Sequence, residues 1–142
     1  EEGYTYDSSS FPTIGHDRYG RLSGMTGGDS IVELRPGFHE VCMPCLNRSG
    51  RGIPWAGGGY FRLLPYQVFR AGVRRILSKG RPYVFYIHPW EIDASQPRLG
   101  EGSRLNAMRH YLNLAKCERR WARLLADFSW VTVGELLASQ ID

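Results

Sequence analysis

The longest unbroken apolar run in the chain is Tyr83-Val84-Phe85-Tyr86-Ile87, aromatic and β-branched throughout and followed at once by His88. Such a run predicts a strand covered on both faces. Ahead of it, Val68, Phe69, Val73, Ile76 and Leu77 recur at helical spacing with Arg70, Arg74 and Arg75 on the other side. This predicts an amphipathic helix that Pro65 opens and Gly80 and Pro82 close. Behind it, Leu105, Met108, Leu112, Ala115, Trp121, Leu124, Leu125 and Phe128 form one apolar stripe, predicting a helix from a cap at Ser103 to about Asp127. Shorter apolar stretches at residues 4–6, 31–34, 41–46 and 129–133 read as strands, and residues 134–139 as a closing helical turn. Residues 11–30 and 47–59, rich in glycine and polar residues, read as loops. The order strand, strand, helix, strand, helix, strand favours an α/β layered fold with parallel strands.

Composition narrows the class. The chain has 142 residues, enough for one domain with its own core, and 42% hydrophobic content is ordinary for a globular protein. No apolar run approaches the ~18 residues a membrane span needs. The net charge is +4. It comes almost wholly from arginine, since only Lys79 and Lys116 are lysines. The pairs Arg74-Arg75 and Arg119-Arg120 fall on predicted helices, so solvated helix faces explain them better than a nucleic-acid surface. The three cysteines, Cys42, Cys45 and Cys117, fit free thiols in a reducing, cytoplasmic compartment. His39, Cys42 and Cys45 make a compact metal-ligand set, but a closed structural zinc site needs a fourth ligand. The opening Glu1-Glu2-Gly3 reads as the end of a helix with its glycine cap, as in a piece of a longer protein.

Chemistry concentrates after the apolar run, in His88-Pro89-Trp90-Glu91-Ile92-Asp93. A histidine at the end of a buried strand, beside an acid and an aromatic wall, suits acid–base work near neutral pH. The same placement suits a structural histidine bonded to a backbone carbonyl. Asp7, in Tyr6-Asp7-Ser8-Ser9, also stands at a strand end. It reads either as an orienting or hydroxyl-binding carboxylate or as an Asx-turn. Gly57-Gly58-Gly59-Tyr60-Phe61-Arg62 precedes a helix but lacks the Gly-Lys-Ser/Thr of a phosphate loop. Its glycines allow close backbone approach. Tyr60 and Phe61 offer flat faces that suit sugar rings and cores alike.

Five motifs, in this order and spacing, resemble the polysaccharide deacetylase family: Tyr4-Thr5-Tyr6-Asp7-Ser8-Ser9; Gly57-Gly58-Gly59-Tyr60-Phe61-Arg62-Leu63-Leu64-Pro65-Tyr66; Tyr86-Ile87-His88-Pro89-Trp90-Glu91-Ile92-Asp93; Gln96-Pro97-Arg98; and Arg109-His110-Tyr111-Leu112-Asn113-Leu114. They are similar in particular to the branch associated with exosortase (PEP-CTERM) and exopolysaccharide gene clusters. The resemblance implies an α/β fold, the C-terminal portion of a distorted (β/α) barrel with its early strands missing, over residues 1–142. It implies metal-dependent removal of N-acetyl groups from a polysaccharide. His88 matches the late histidine that protonates the leaving amine, with Asp7 and Asp93 as further catalytic acids. Tyr60, Phe61, Arg62 and Trp90 are the implied substrate-binding residues. The family's divalent metal, usually zinc, is held by an aspartate and two histidines whose motifs are absent from this chain and are expected upstream of Glu1. The implied partner is an N-acetylated polysaccharide, with no nucleic acid and no membrane span. The residues also allow a non-catalytic carbohydrate-binding module in which Tyr60, Phe61 and Trp90 stack on sugars.

Overall fold

The computed structural model describes residues 3–10, 30–48, 51–97 and 104–141. The expected loop at 11–30 and the expected cap at Ser103 lie outside them, apart from Ser30. The described chain is mixed α/β. Strands β1 (Tyr6–Asp7), β2 (Ile31–Arg35) and β3 (Phe38–Val41) form one sheet in the order β1-β3-β2. β1 runs parallel to β3, with Tyr6 opposite His39 and Asp7 opposite Glu40. β2 runs antiparallel to β3 through a turn at Pro36 and Gly37. Gly37 takes φ +75°, which an L side chain resists, and its N–H donates to Glu33 Oε1 at 3.0 Å. A second sheet is the antiparallel hairpin of β4 (Cys45–Arg48) and β5 (Arg51–Pro54). Among the described residues five helices follow: α1 (Gly58–Leu63), α2 (Tyr66–Leu77), α3 (Arg104–Tyr111), α4 (Leu114–Asp127) and α5 (Val133–Ile141). A single 3-10 turn, Pro89–Glu91, stands between α2 and α3. No helix among the described residues is long and apolar enough to cross a membrane.

The core explains why α2 and α4 are helices with one wet side. Phe69, Val73 and Ile76 of α2 and Cys117 and Leu124 of α4 are buried with Trp55, Phe61 and Tyr66 in one cluster. Phe61 is its hub, meeting Phe69, Phe85 and Tyr66 edge-on at centroid distances of 5.0, 5.2 and 6.5 Å. Trp55 lies flat against α2 because Gly72 leaves room. A Cβ there would collide with the indole, whose N–H donates to the Phe69 carbonyl at 2.9 Å.

Several expected elements are built differently. Residues 83–88, the expected strand, join no ladder among the described residues. Their side chains still alternate as extended backbone requires. Tyr83, Phe85 and Ile87 pack on the main cluster, while Val84 and Tyr86 pack on a second one formed by Met43, Cys45 and Ala56. Two-faced burial is what the apolar run encodes; a ladder also needs paired backbone hydrogen bonds, and none of the described strands pairs with this segment. The expected strand at 129–133 is likewise unpaired and leads into α5. The expected loop at 47–59 holds β5 and the start of α1 instead. The expected continuous helix to Asp127 breaks between α3 and α4, where Asn113 adopts φ 55°, ψ 21°. Asparagine tolerates that left-handed conformation. Its side-chain amide donates to the Arg62 carbonyl at 2.8 Å.

All three cysteines are free and buried. Burial pushes the Cys45 thiol up to about 11 against the pull of Arg81. It pushes Cys117 up to about 11 as well, against the pull of Arg62. An acid whose folded pKa is raised stabilises the fold below its unfolded value and loses that contribution as pH rises through the folded value. The urea midpoint should therefore fall as pH rises from 9.0, the thiols' ordinary value, toward about 11. Ellman's reagent should label Cys45 and Cys117 only as the chain unfolds. A midpoint flat over that window would contradict this burial.

Candidate functional site

The 3-10 turn that follows residues 83–88 is pinned at its base by a carboxylate. Glu91 is 2% exposed. Its Oε2 accepts the His88 N–H at 3.1 Å, and its own N–H donates to the His88 carbonyl at 2.9 Å. Its Oε1 accepts Nε and Nη2 of Arg62 at 3.2 and 3.1 Å. Arg62, 3% exposed, also donates Nη1 to the carbonyls of His110 and Leu112 at 2.7 and 3.0 Å. One buried ion pair thus ties α1, the turn after His88 and the α3–α4 junction together.

The glycine motif exists to admit this arrangement. At Gly57, φ +83°, a Cβ would strike the Tyr86 ring. At Gly58 it would strike the Glu91 carboxylate, whereas Gly59 faces open space. Arg120 and Asn113 close the far end of α1, Arg120 Nη1 reaching the carbonyls of Arg62 and Leu64 at 3.2 and 3.3 Å.

Above this base stands a file of aromatic rings. The exposed His88 imidazole meets Tyr86 edge-on at 5.7 Å and lies parallel to Trp90, 9° apart, at 6.0 Å. Trp90 in turn stacks on His110 at 4.2 Å and 10°, and the Arg62 guanidinium carbon lies 5.1 Å from the Trp90 ring centre. His110 Nε2 is 2.9 Å from Gln96 Oε1. An exposed imidazole with its plane set by neighbouring rings is equipped to pass a proton to a bound group.

The expected site residues are not brought together uniformly. His88 and Trp90 share the ring file. Asp93 is exposed and turns away into its own loop, its Oδ1 accepting Ser95 N at 2.8 Å and Ser95 Oγ at 2.6 Å. Those bonds hold its carboxyl below the usual range. No hydrogen bond links it to His88, so the rings rather than Asp93 orient the imidazole. Asp7 is exposed and its carboxylate accepts Ser8 N at 2.7 Å and Ser9 Oγ at 2.8 Å, while Ser9 N, the donor an Asx-turn would need, goes to Glu40 instead. It lines an open cleft of about 590 Å³ with Tyr4, Tyr6, Arg35 and Phe38, apart from the ring file. Phe61 is 0% exposed, so it offers no face to a sugar; the core takes the ring. Arg62 is likewise taken up by Glu91 and backbone carbonyls. Tyr60 is half-buried against the main cluster.

His39 sits in β3 opposite Tyr6 and Glu33, and among the described residues no group of three or more His, Cys, Asp or Glu could hold a metal ion. Glu40 was not singled out from the sequence. It is 1% exposed, and its Oε1 accepts the N–H groups of Ser9 and Ser10 at 3.0 and 2.7 Å, fastening the loop after β1.

The sequence profile of one protein family, described as Domain of unknown function (DUF3473), matches residues 8–138. The chain belongs to the DUF3473 family. The matched span takes in the Ser8–Ser10 loop, the glycine motif, the ring file around His88 and α5 as far as Ala138, and leaves out Asp7 and the residues before it. No curated protein and no solved structure matches the chain.

Proposed function

We propose that the chain is the C-terminal part of a metal-dependent polysaccharide N-deacetylase, which hydrolyses N-acetyl groups of an exopolysaccharide. The observation that carries this reading is the exposed His88 imidazole, its backbone fixed by Glu91 and its ring by Tyr86 and Trp90. The association of the DUF3473 family with polysaccharide deacetylase-like proteins supports it. In this reading the chain contributes the C-terminal portion of a distorted (β/α) barrel, of the exosortase-associated branch, and works in the cytoplasm. Three free buried cysteines agree with a reducing compartment.

The reaction adds water to the acetamide carbonyl, breaks the C–N bond and releases acetate. The departing nitrogen needs a proton, and His88 supplies it. Trp90 forms the wall beside the imidazole. A divalent metal, zinc by preference, would when bound supply Lewis-acid polarisation of such a carbonyl. Among the described residues no group of three or more His, Cys, Asp or Glu could hold it, and in this reading its ligands lie outside them. Burial of Phe61 weighs against the alternative of a carbohydrate-binding module that stacks Tyr60, Phe61 and Trp90 on sugars.

Acetate release from an N-acetylglucosamine hexamer by the intact protein should stop on treatment with a zinc chelator and return with added zinc. No release from the zinc-loaded protein, or release indifferent to the chelator, would overturn the proposal.

A further inference from the structure

The hydrogen bonds of Gln96 leave one arrangement of protons around His110. Its Nε2 donates to the carbonyls of Trp90 and Asp93, at 2.7 and 3.0 Å. A carboxamide has two N–H donors on one nitrogen and an oxygen that only accepts. Turned over, it would set that oxygen against two carbonyl oxygens. The amide is therefore fixed with Oε1 toward His110, 2.9 Å from Nε2. An acceptor there requires a proton on His110 Nε2, which leaves Nδ1 as the acceptor of the neutral ring.

The same ring supports the file. It stacks on Trp90 at 4.2 Å and meets Tyr111 edge-on at 4.7 Å, and Trp90 carries the parallel His88 imidazole. Gln96 thus bonds the turn after His88 to itself through two carbonyls and to α3 through His110. Gln96 and His110 bond and stack with each other, Trp90, Asp93 and Tyr111 rather than with His88 itself, so they reach the imidazole through Trp90.

We propose that Gln96 and His110 are positioning residues for His88: Gln96 locks His110 as the Nε2–H tautomer, and the locked ring sets the plane of Trp90 and through it that of the imidazole. Its catalytic consequence rests on the deacetylase reading; the lock itself does not.

Two readouts test it in the intact protein. In the ¹⁵N spectrum of the neutral His110 ring, Nε2 should carry the proton and Nδ1 none. Gln96→Glu keeps the size but puts an oxygen where the two N–H groups were. It should break both bonds to the turn while still offering His110 Nε2 an acceptor, and lower kcat about 10- to 100-fold, the range seen when an orienting partner is lost, with KM little changed. His110→Phe keeps a ring against Trp90 without the bond and should retain more kcat than His110→Ala, which loses both. A wild-type ring protonated on Nδ1 overturns the lock, and an unchanged kcat in Gln96→Glu overturns the positioning role. A protein with the Nε2–H signature that releases no acetate sinks the deacetylase reading while the lock stands.

Discussion

Arg62→Met should destabilise the protein by about 3–5 kcal/mol in urea unfolding, the cost of leaving one partner of a buried ion pair uncompensated. Arg62 and Glu91 side chains are 4% and 3% exposed, and their closest oxygen–nitrogen pair is 3.1 Å apart. Removing the guanidinium leaves the Glu91 carboxylate in the interior with one remaining bond, from His88 N. It also strips the His110 and Leu112 carbonyls of a donor. Against a typical total stability of about 5–15 kcal/mol, that loss takes away much of the fold. Gly58→Ala should act through the same pair, because the added methyl occupies the carboxylate's place. The double variant Arg62→Met/Glu91→Gln should cost less than the sum of its single variants, since it leaves no buried charge. A loss below about 1 kcal/mol for Arg62→Met, the value of an exposed pair, would show that the pair is not buried in solution.

The second large effect falls on rate. His88→Ala in the intact protein should lower kcat about 10²–10⁴-fold, the usual contribution of a general acid. Metal content should not change, because the described residues around His88 hold no metal-ligating group. Asp93→Asn and Asp7→Asn should cost far less. Asp93 spends its acceptors on Ser95, and Asp7 spends its own on Ser8 and Ser9.

What the sequence made legible was burial pattern. The α2 periodicity marked Phe69, Val73 and Ile76 correctly as core, while Val68 and Leu77 of the same stripe are exposed, and the apolar run marked 83–87 as covered on two sides. Periodicity says which faces are apolar, not which backbone lies alongside, so the missing ladder at 83–87 left no trace in it. The β4–β5 hairpin was hidden for the opposite reason. Its strands carry Arg48, Arg51 and Gly52, and their pairing rests on backbone bonds that composition does not record. Helix α1 opens on two glycines, the poorest helix formers after proline. Tertiary demand overrides propensity at Gly58, where a Cβ would meet Glu91, as it does at Gly57 just before the helix, where one would meet Tyr86.

At the site, His88 and Trp90 could be found from strand-end logic. Their real neighbours could not. Glu91 is adjacent in sequence, but its burial comes from Arg62, 29 residues away. His110 stood in a motif with no strand end to mark it, and only the fold carries it to Trp90. Phe61 shows the ambiguity at its plainest: an aromatic beside glycines reads equally as platform or core, and here the core took it.

The claim that His88 is the proton donor is tested most directly by kcat for acetate release in His88→Gln. Glutamine keeps the size and one hydrogen bond but cannot deliver a proton. The expected result is a variant that folds and binds metal as the wild type does, yet turns over about 10²–10⁴-fold more slowly. Near-normal kcat in His88→Gln would make His88 a structural residue and contradict the account.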